Sequence, residues 1–254
     1  MLAGIDLNCD LGESFGAWTM GEDEAVLPHV SSANVACGFH AGDPTVMRRT
    51  VALAKAAGVA IGAHVSLPDL QGFGRREMKV SPEECHDFVL YQVGALAAIA
   101  RAQGVGLSHV KPHGALYNMA ARDAALATAI AHAVRDADRA LVLYGLSGSA
   151  LVAAGEAAGL RVAHEVFADR GYRADGALAP RGTPGAVIDD PALAAERAAA
   201  FAAGAPVAAL DGTPLRLRAD TVCVHGDRAG AGAFAAALRA RLDASGVVVR
   251  APHA

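Results

Sequence analysis

The sequence predicts an α/β protein and, within that class, a seven-stranded parallel β/α barrel of the TIM-like type. Short runs of β-forming residues alternate with longer alanine-rich stretches of helical character, which is the pattern of parallel strands joined by crossover helices. That alternation fits either an open, doubly wound sheet or a closed barrel. Seven strand runs with polar residues at their ends favour the barrel, because barrels gather their chemistry on the loops that follow the strands.

The strand candidates are short apolar runs, and a turn or a polar cluster follows each of them. They are residues 4–9, 32–37, 59–64, 107–112, 140–145, 161–167 and 221–226.

The helix candidates lie between these strands and carry the usual boundary signals. Asp43 and Ser81 each precede a proline, as an N-cap precedes the first helical residue. Gly58, Gly104 and Gly159 stand where a glycine is expected to end a helix. The predicted helices are residues 44–57, 82–102, 123–135, 149–158, 191–203 and 231–244.

Length and composition indicate one globular unit. With 254 residues, 53% of them hydrophobic, the chain can bury one large core. It shows no linker, low-complexity tail or internal repeat, so we expect a single catalytic domain over residues 1–254. The apolar runs are too short to span a bilayer, and no basic leader precedes one. We therefore expect a cytoplasmic protein with no membrane partner.

Charge and cysteine usage exclude further classes. A formal net charge of −4 without any run of Lys and Arg argues against nucleic acid as a partner. The four cysteines, Cys9, Cys37, Cys85 and Cys223, form no CxxC pair. We expect all four to be reduced and dispensable for catalysis.

Three histidines mark the candidate catalytic site. His40, His64 and His113 each end a strand candidate, and Asp10 and Glu13 follow the first strand. Imidazoles with carboxylates suit either Zn²⁺ or another divalent ion acting on water, or a metal-free set of acids and bases. No HxH or HExxH spacing decides between them. The metal ligands would be drawn from Asp10, His40, His64 and His113; we assign His29, His86, His109, His132 and His253 to surface or packing positions.

Other polar residues at strand ends are candidates for contacts with substrate. Lys111 and His113 are two apart on one strand, so their side chains should point the same way into the barrel mouth. Arg75 and Arg76, on a glycine-containing loop, could bind anions. A long segment at 168–190 is typical of a lid or binding loop. The remaining candidates are Asp6, Asn8, Tyr117, Glu165, Asp169, Arg170, His225 and Asp227.

Several longer stretches resemble one known family. They are IDLNCDLGESFGAW (5–18), NVACGFHAGDP (34–44), IGAHVSLPDLQGFGRR (61–76), VKPHGALYN (110–118), EVFADRGYRADGALAPR (165–181) and CVHGD (223–227). In this order they are similar to the LamB/YcsF family, the A subunits of bacterial ATP-dependent 5-oxoprolinase. The resemblance implies a β/α barrel of the glycoside hydrolase/deacetylase type. It also implies hydrolysis of 5-oxo-L-proline to L-glutamate, coupled to hydrolysis of ATP to ADP and phosphate, in a complex with subunits B and C.

The need for ATP has a chemical reason. A five-membered lactam is a poor electrophile, and phosphorylating its oxygen or a tetrahedral adduct would activate it, leaving positioning and charge stabilisation to the protein. Asp10, Glu13 and the three histidines would then activate water and transfer protons. Lys111, Arg75, Arg76 and Arg170 would hold the substrate carboxylate and the phosphates of ATP, with Mg²⁺ accompanying the nucleotide.

Two other functions remain open from the sequence. One is a metal-dependent deacetylase or amidohydrolase that acts without ATP, which the histidine and aspartate set suggests. The other is a non-catalytic subunit that binds a small metabolite while its partners perform the chemistry.

Overall fold

The computed structural model describes residues 4–227 and 229–252, and its strands form a closed parallel barrel. The strands are β1 (Gly4–Leu11), β2 (Ser32–Ala36), β3 (Ala60–Val65), β4 (His109–Pro112), β5 (Val142–Leu146), β6 (Arg161–Phe167), β7 (Val207–Ala208), β8 (Pro214–Leu215), β9 (Thr221–Val224) and β10 (Val248–Val249). Strands β1 to β6 pair in sequence order, and β9 closes the barrel between β6 and β1. The predicted seven-stranded parallel β/α barrel is confirmed.

Helices surround the barrel, with most of the barrel strands followed by at least one. They are α1 (Asp23–Val26), α2 (Pro44–Ala56), α3 (Pro82–Ala102), α4 (Gly114–Arg122), α5 (Ala124–Ala137), α6 (Ala150–Ala157), α7 (Pro191–Ala202) and α8 (Ala231–Ala244), with a 3₁₀ turn at Leu27–His29. Within the described ranges, none of these helices is long and apolar enough to cross a membrane.

The predicted helix boundaries are confirmed where a capping residue marks them. Asp43 accepts hydrogen bonds from the backbone of Thr45 and Val46 at the start of α2. Ser81 and Glu84 form a reciprocal capping box at the start of α3, which satisfies two backbone N–H groups that the helix itself leaves free. A cap is thus a local signal that a sequence displays directly.

Some helices and strands that lack such boundary signals were not predicted from the sequence. Helix α4 begins directly after His113, where no helix was predicted. The hairpin of β7 and β8 and the short β10, which pairs with the start of β1, were also not predicted. Both β7 and β10 have two residues, too few for a periodic pattern to be recognised.

The apolar core lies between the strands and the helices, while the inside of the barrel is polar. Along β1, Leu7 and Cys9 belong to the apolar core, whereas Asn8 and Asp10 accept hydrogen bonds across the barrel interior. Successive residues of a strand point to opposite sides of the sheet, so this alternation delivers a column of polar side chains to the barrel axis. This column of polar side chains runs along the barrel axis toward the C-terminal ends of the strands, where the candidate site lies.

Candidate active site

The lowest polar layer of the barrel is centred on Asp6. Its carboxylate accepts hydrogen bonds from the hydroxyls of Ser31, Ser32, Thr221 and Tyr144, and burial raises its pKa. The sequence analysis counted Asp6 among the polar residues at the barrel mouth and made it a candidate for contact with substrate. The structure places it near the N-terminal ends of the strands, beside the start of β9, and it does not line the cavity at the mouth.

The middle layer contains Asn8, Asn34 and His109. Asn34 donates hydrogen bonds to Asn8 Oδ1 (2.7 Å) and Asp10 Oδ1 (2.8 Å), and His109 Nε2 donates to Asn34 Oδ1 (2.7 Å). Burial lowers the pKa of His109 to about 3, so this imidazole is neutral. His109 does have a packing position, but inside the barrel, with its ring stacked on Tyr144. The sequence analysis missed Asn34, although its position on β2 two residues after Ser32 put it on the inner face.

Lys111 dominates the upper layer as a buried cation. Its Nζ lies 2.8 Å from Asp10 Oδ1, 2.9 Å from Glu165 Oε1 and 3.1 Å from Asn8 Oδ1, and Cys223 Sγ is 2.9 Å away. Burial opposes the charge of the ammonium, but the carboxylates outweigh this effect and raise the pKa of Lys111. Lys111 therefore carries a charge in an enclosed site.

The three histidines of the sequence prediction converge beside Lys111, together with both carboxylates. His64 Nε2 lies 2.9 Å from His113 Nδ1 and 3.3 Å from Asp10 Oδ2. Glu13 Oε1 lies 3.2 Å from His40 Nε2 and 3.7 Å from His113 Nδ1. All five residues are buried. Ligand atoms of Glu13 and the three histidines lie within 4.8 Å of one another, a spacing that could hold a metal ion.

Charge in this cluster is set by burial and by its neighbours. Although burial favours its neutral form, His64 and Lys111 hold the pKa of Asp10 well below its usual range. Burial and the adjacent Asp10 raise the pKa of Glu13 well above its usual range. Burial, together with a neighbouring imidazole, lowers the pKa of His113. The cluster thus combines an ionised carboxylate with a carboxyl that readily holds a proton, as acid–base chemistry requires.

The loop of residues 66–78 holds His113 in one orientation. His113 Nε2 donates to the carbonyl of Phe73 at 2.9 Å. Phe73 has a φ of 53° and Gly74 one of 64°, and a side chain at Gly74 would collide with Ser66 and approach the His40 and His113 residues. A non-glycine residue in the left-handed region is uncommon, so this turn is specialised to bring a carbonyl to the imidazole.

A second group of polar residues lies on the other side of Lys111. His225 Nδ1 is 2.7 Å from Asp169 Oδ2, and Asp10, Cys223 and His225 form another set of closely spaced ligand atoms. Both Asp169 and His225 were predicted as substrate contacts. Cys223 was treated only as a structural thiol, yet it faces Lys111. All four cysteines are free and buried, as expected.

A cavity of about 760 Å³ opens above these layers. Its floor is formed by Asp10, His64, Lys111, His113, Tyr117, Phe167 and His225. Helix α4 carries Tyr117 to this floor and the segment after β6 forms the opposite wall, as far as Arg181. His40 and Glu13 lie behind the cavity wall, in contact with the residues that line it.

Arginines form the rim of the cavity. Arg75, Arg122, Arg170, Arg173 and Arg181 all line it. Arg75 pairs with Asp227, and Arg170, whose pKa burial lowers to about 10, donates to two carbonyls of the segment 168–190. Arg76, predicted beside Arg75 as an anion contact, instead pairs with Asp69 and does not line the cavity. The sequence analysis did not single out Arg122, which lies at the end of α4.

Three buried polar atoms near the floor make no hydrogen bond of normal geometry among the described residues: Tyr117 Oη, Glu165 Oε2 and Asp169 Oδ1. The Tyr117 hydroxyl and the Glu165 carboxylate are nevertheless close enough to interact with each other. Burial and the charge of Glu165 raise the pKa of Tyr117, so the phenol keeps its proton. Buried polar groups in folded proteins are nearly always satisfied. This corner of the site is therefore suited to a polar ligand or ordered water.

Comparison with known proteins supports a specific family. A family model described as the LamB/YcsF family matches residues 5–254. The A subunit of 5-oxoprolinase from Bordetella parapertussis is 59% identical over 247 residues, covering 97% of this chain and 98% of that protein. The A subunit of 5-oxoprolinase from Geobacillus kaustophilus is 58% identical over 249 residues, covering 98% of this chain and 97% of that protein.

A solved structure agrees with these relatives. The crystal structure of a lactam utilization protein from Thermus thermophilus superimposes with a TM-score of 0.93 at 51% identity, covering 98% of this chain and all of that one. The match extends over the barrel and the loops that form the site. The chain belongs to the LamB/YcsF family.

Proposed function

We propose that this protein is the A subunit of a 5-oxoprolinase, which hydrolyses the cyclic amide 5-oxo-L-proline to L-glutamate and couples the reaction to hydrolysis of ATP. Relatives that match nearly the whole chain carry that name, and a structural relative is called a lactam utilization protein. The observation that carries the proposal is the cavity itself, where an acid–base cluster lies below a rim of arginines.

The cavity suits a small anionic ring. Its volume of about 760 Å³ is within the usual range of small-molecule sites, roughly 300–1,000 Å³. Guanidinium groups bind carboxylates with paired hydrogen bonds. Arg75 and Arg181 on the rim would hold the substrate carboxylate, and the lactam would then point down toward the floor.

The acid–base cluster would open the ring. Asp10, ionised and next to His64, would accept the proton of an attacking water, and His113 would relay a proton to the leaving nitrogen from Glu13, whose raised pKa lets it hold one. Glu13 would act through His113, which it faces at 3.7 Å. Tyr117 Oη and Glu165 Oε2, which make no hydrogen bond of normal geometry among the described residues, would form hydrogen bonds with the polar edge of the lactam.

We assign Lys111 a positioning role rather than direct binding. An ammonium has three hydrogens to donate, and Asp10, Glu165 and Asn8 already accept at 2.8–3.1 Å. Lys111 thereby fixes Asp10, and its charge would favour negative charge developing on a nearby lactam oxygen.

ATP with its Mg²⁺, partner subunits B and C, and a cytoplasmic location complete the proposal. Coupling to ATP follows from the poor reactivity of the lactam, since phosphorylation of its oxygen makes the ring carbon a better electrophile for the attacking water. The arginine rim is suited to the charged intermediate of that step.

The decisive experiment is a reconstituted reaction that follows release of glutamate and formation of ADP together, with and without partner subunits. We expect both products in equal amounts and only with the complete complex. Arg75→Ala should raise the KM for 5-oxoproline at least about tenfold, the loss of one charged contact. Arg101→Ala, an exposed arginine near the end of α3, is the matched control.

Two results would contradict the proposal. Amide hydrolysis by the isolated chain without ATP would indicate a metal-dependent amidohydrolase instead. Full turnover by a complex that contains His113→Ala would indicate a metabolite-binding subunit without a catalytic role.

A further inference from the structure

Two imidazole nitrogens face each other at the centre of the site. His64 Nε2 and His113 Nδ1 are 2.9 Å apart. The other nitrogen of each ring faces a backbone carbonyl: His64 Nδ1 is 3.0 Å from the oxygen of Lys111, and His113 Nε2 is 2.9 Å from that of Phe73. A carbonyl oxygen only accepts hydrogen bonds, so these outer nitrogens carry the hydrogens.

When both rings are neutral, their inner nitrogens are consequently bare. Two lone pairs that meet at 2.9 Å repel each other unless a positive charge lies between or beside them. The charge is either a proton shared by the rings or a cation that both nitrogens bind. A neutral histidine whose other N–H is held by a backbone carbonyl is the usual form of a metal ligand.

Two carboxylate oxygens lie next to this pair. Asp10 Oδ2 is 3.3 Å from His64 Nε2, and Glu13 Oε1 is 3.7 Å from His113 Nδ1. Lys111 occupies the other oxygen of Asp10 at 2.8 Å, which leaves Oδ2 for the histidine side. All of these groups are at least nine-tenths buried.

His40 belongs to the cluster but has the wrong orientation to be a ligand. Its ring is stacked on that of His113, with centroids 3.9 Å apart and planes 7° from parallel. The lone pair of an imidazole lies in the ring plane, so two stacked rings cannot both direct one at the same ion. His40 Nε2 instead lies 3.2 Å from Glu13 Oε1 and orients that carboxylate.

We propose that His64 Nε2, His113 Nδ1, Asp10 Oδ2 and Glu13 Oε1 bind one first-row divalent metal ion of the Zn²⁺ type, with His40 orienting Glu13 from outside. Metal–nitrogen bonds are about 2.0–2.1 Å, so two nitrogens 2.9 Å apart can both bind one ion. Imidazole ligands favour Zn²⁺, Co²⁺ and similar ions over Mg²⁺, and the site is therefore distinct from the Mg²⁺ that accompanies ATP.

The ion would have access to substrate. His64, His113 and Asp10 all line the cavity, so an ion bound to them has one side toward the space above. It would supply Lewis acidity to a carbonyl or activate a water, and with the ion bound Asp10 and His113 would act as its ligands in place of the direct proton transfers assigned to them in the metal-free cluster. The metal site does not depend on the identity of the substrate, and it can be tested without any turnover.

The test is metal binding by the full-length purified chain after removal of metals with a chelator. Zn²⁺ is titrated by calorimetry, and Co²⁺ is titrated by its visible absorption, which reports the coordinating atoms. We expect about one equivalent of either ion. His64→Ala and His113→Ala should each weaken binding at least about 100-fold, because each removes a ligand. His40→Ala should retain the Co²⁺ spectrum of nitrogen and oxygen coordination with a smaller loss of affinity.

His109→Ala is the matched control, since it removes another buried histidine that lies outside the cluster, and it should keep stoichiometry and affinity. Circular dichroism checks the folding of each variant. The titrations of the wild-type protein test the proposal even if a variant does not fold. If the wild type binds neither Zn²⁺ nor Co²⁺, the proposal is overturned and a proton shared between the two rings is the remaining explanation. Unchanged binding in folded His64→Ala and His113→Ala would also overturn it.

Discussion

Replacing Lys111 with methionine removes a buried ammonium and keeps most of the volume of the side chain. Lys111 is 2% exposed, and its Nζ lies 2.8 Å from Asp10 and 2.9 Å from Glu165. Without it, two carboxylates face each other in an enclosed space. Removing one partner of a buried ion pair costs about 3–5 kcal/mol, which is a large share of the roughly 5–15 kcal/mol that stabilises a typical domain.

The stability lost in Lys111→Met should depend on pH in a defined direction. In Lys111→Met the uncompensated carboxylates can relieve their repulsion by binding a proton in the folded state. The folded variant then binds more protons than the unfolded chain, so its stability falls as pH rises. We expect the difference from wild type to be largest near pH 8 and to shrink toward pH 5.

Urea unfolding followed by far-UV circular dichroism at both pH values measures this difference. Lys79→Met, at an exposed position, is the control and should match the wild type. Adding Glu165→Gln to Lys111→Met should restore part of the lost stability without restoring activity. An unfolding midpoint of Lys111→Met equal to that of wild type at pH 8 would refute the reasoning.

Three further outcomes are expected. His113→Ala should lower the turnover of the reconstituted enzyme at least about 100-fold, the scale of a lost general acid–base, with an unchanged circular dichroism spectrum; near-normal turnover would disprove the role. Cys37→Ser should retain activity because the buried thiol packs rather than reacts; a folded variant without turnover would contradict this. Since burial lowers the pKa of His109 to about 3, only the unfolded chain binds that proton between about pH 6.5 and 3, and stability should fall as pH falls. His109→Gln should reduce this slope by about 1.4 kcal/mol per pH unit in urea unfolding, and an unchanged slope would show that the folded protein protonates His109.

The sequence predicted the barrel and the meeting of the histidines because both depend on simple periodicities. Parallel strands end at one face of a barrel, so His64 and His113, each near a strand end, had to lie on the same side. Two-residue alternation also placed Lys111 with His113, as the structure has them. The same alternation extends down to His109, and it could have identified that residue as an interior one.

The position of a side chain along the barrel axis and the direction in which a loop side chain points were harder to predict. Asp6, Asn8 and Asp10 share one face of β1, so their alternation does not show how far each lies from the barrel mouth. That distance depends on where the strand ends, which is at Leu11. Arg75 and Arg76 differ by one residue in a loop whose path depends on the positive φ of Phe73. Such a backbone conformation is determined by tertiary packing, so no local pattern shows which guanidinium enters the cavity.

The way the barrel closes has a consequence for how the chain reaches its native state. Strand β9 closes the barrel by pairing with both β1 and β6. On β1, Asn8 donates a hydrogen bond to Thr221 on β9 across a sequence separation of 213 residues. Contacts between residues so far apart slow folding, because a long loop must close before they form. During synthesis β1 keeps an open edge, and Lys111 lacks the side of its enclosure that Cys223 supplies, until β9 has left the ribosome. We therefore expect the charged centre to assemble last, so that an incomplete chain has no working site.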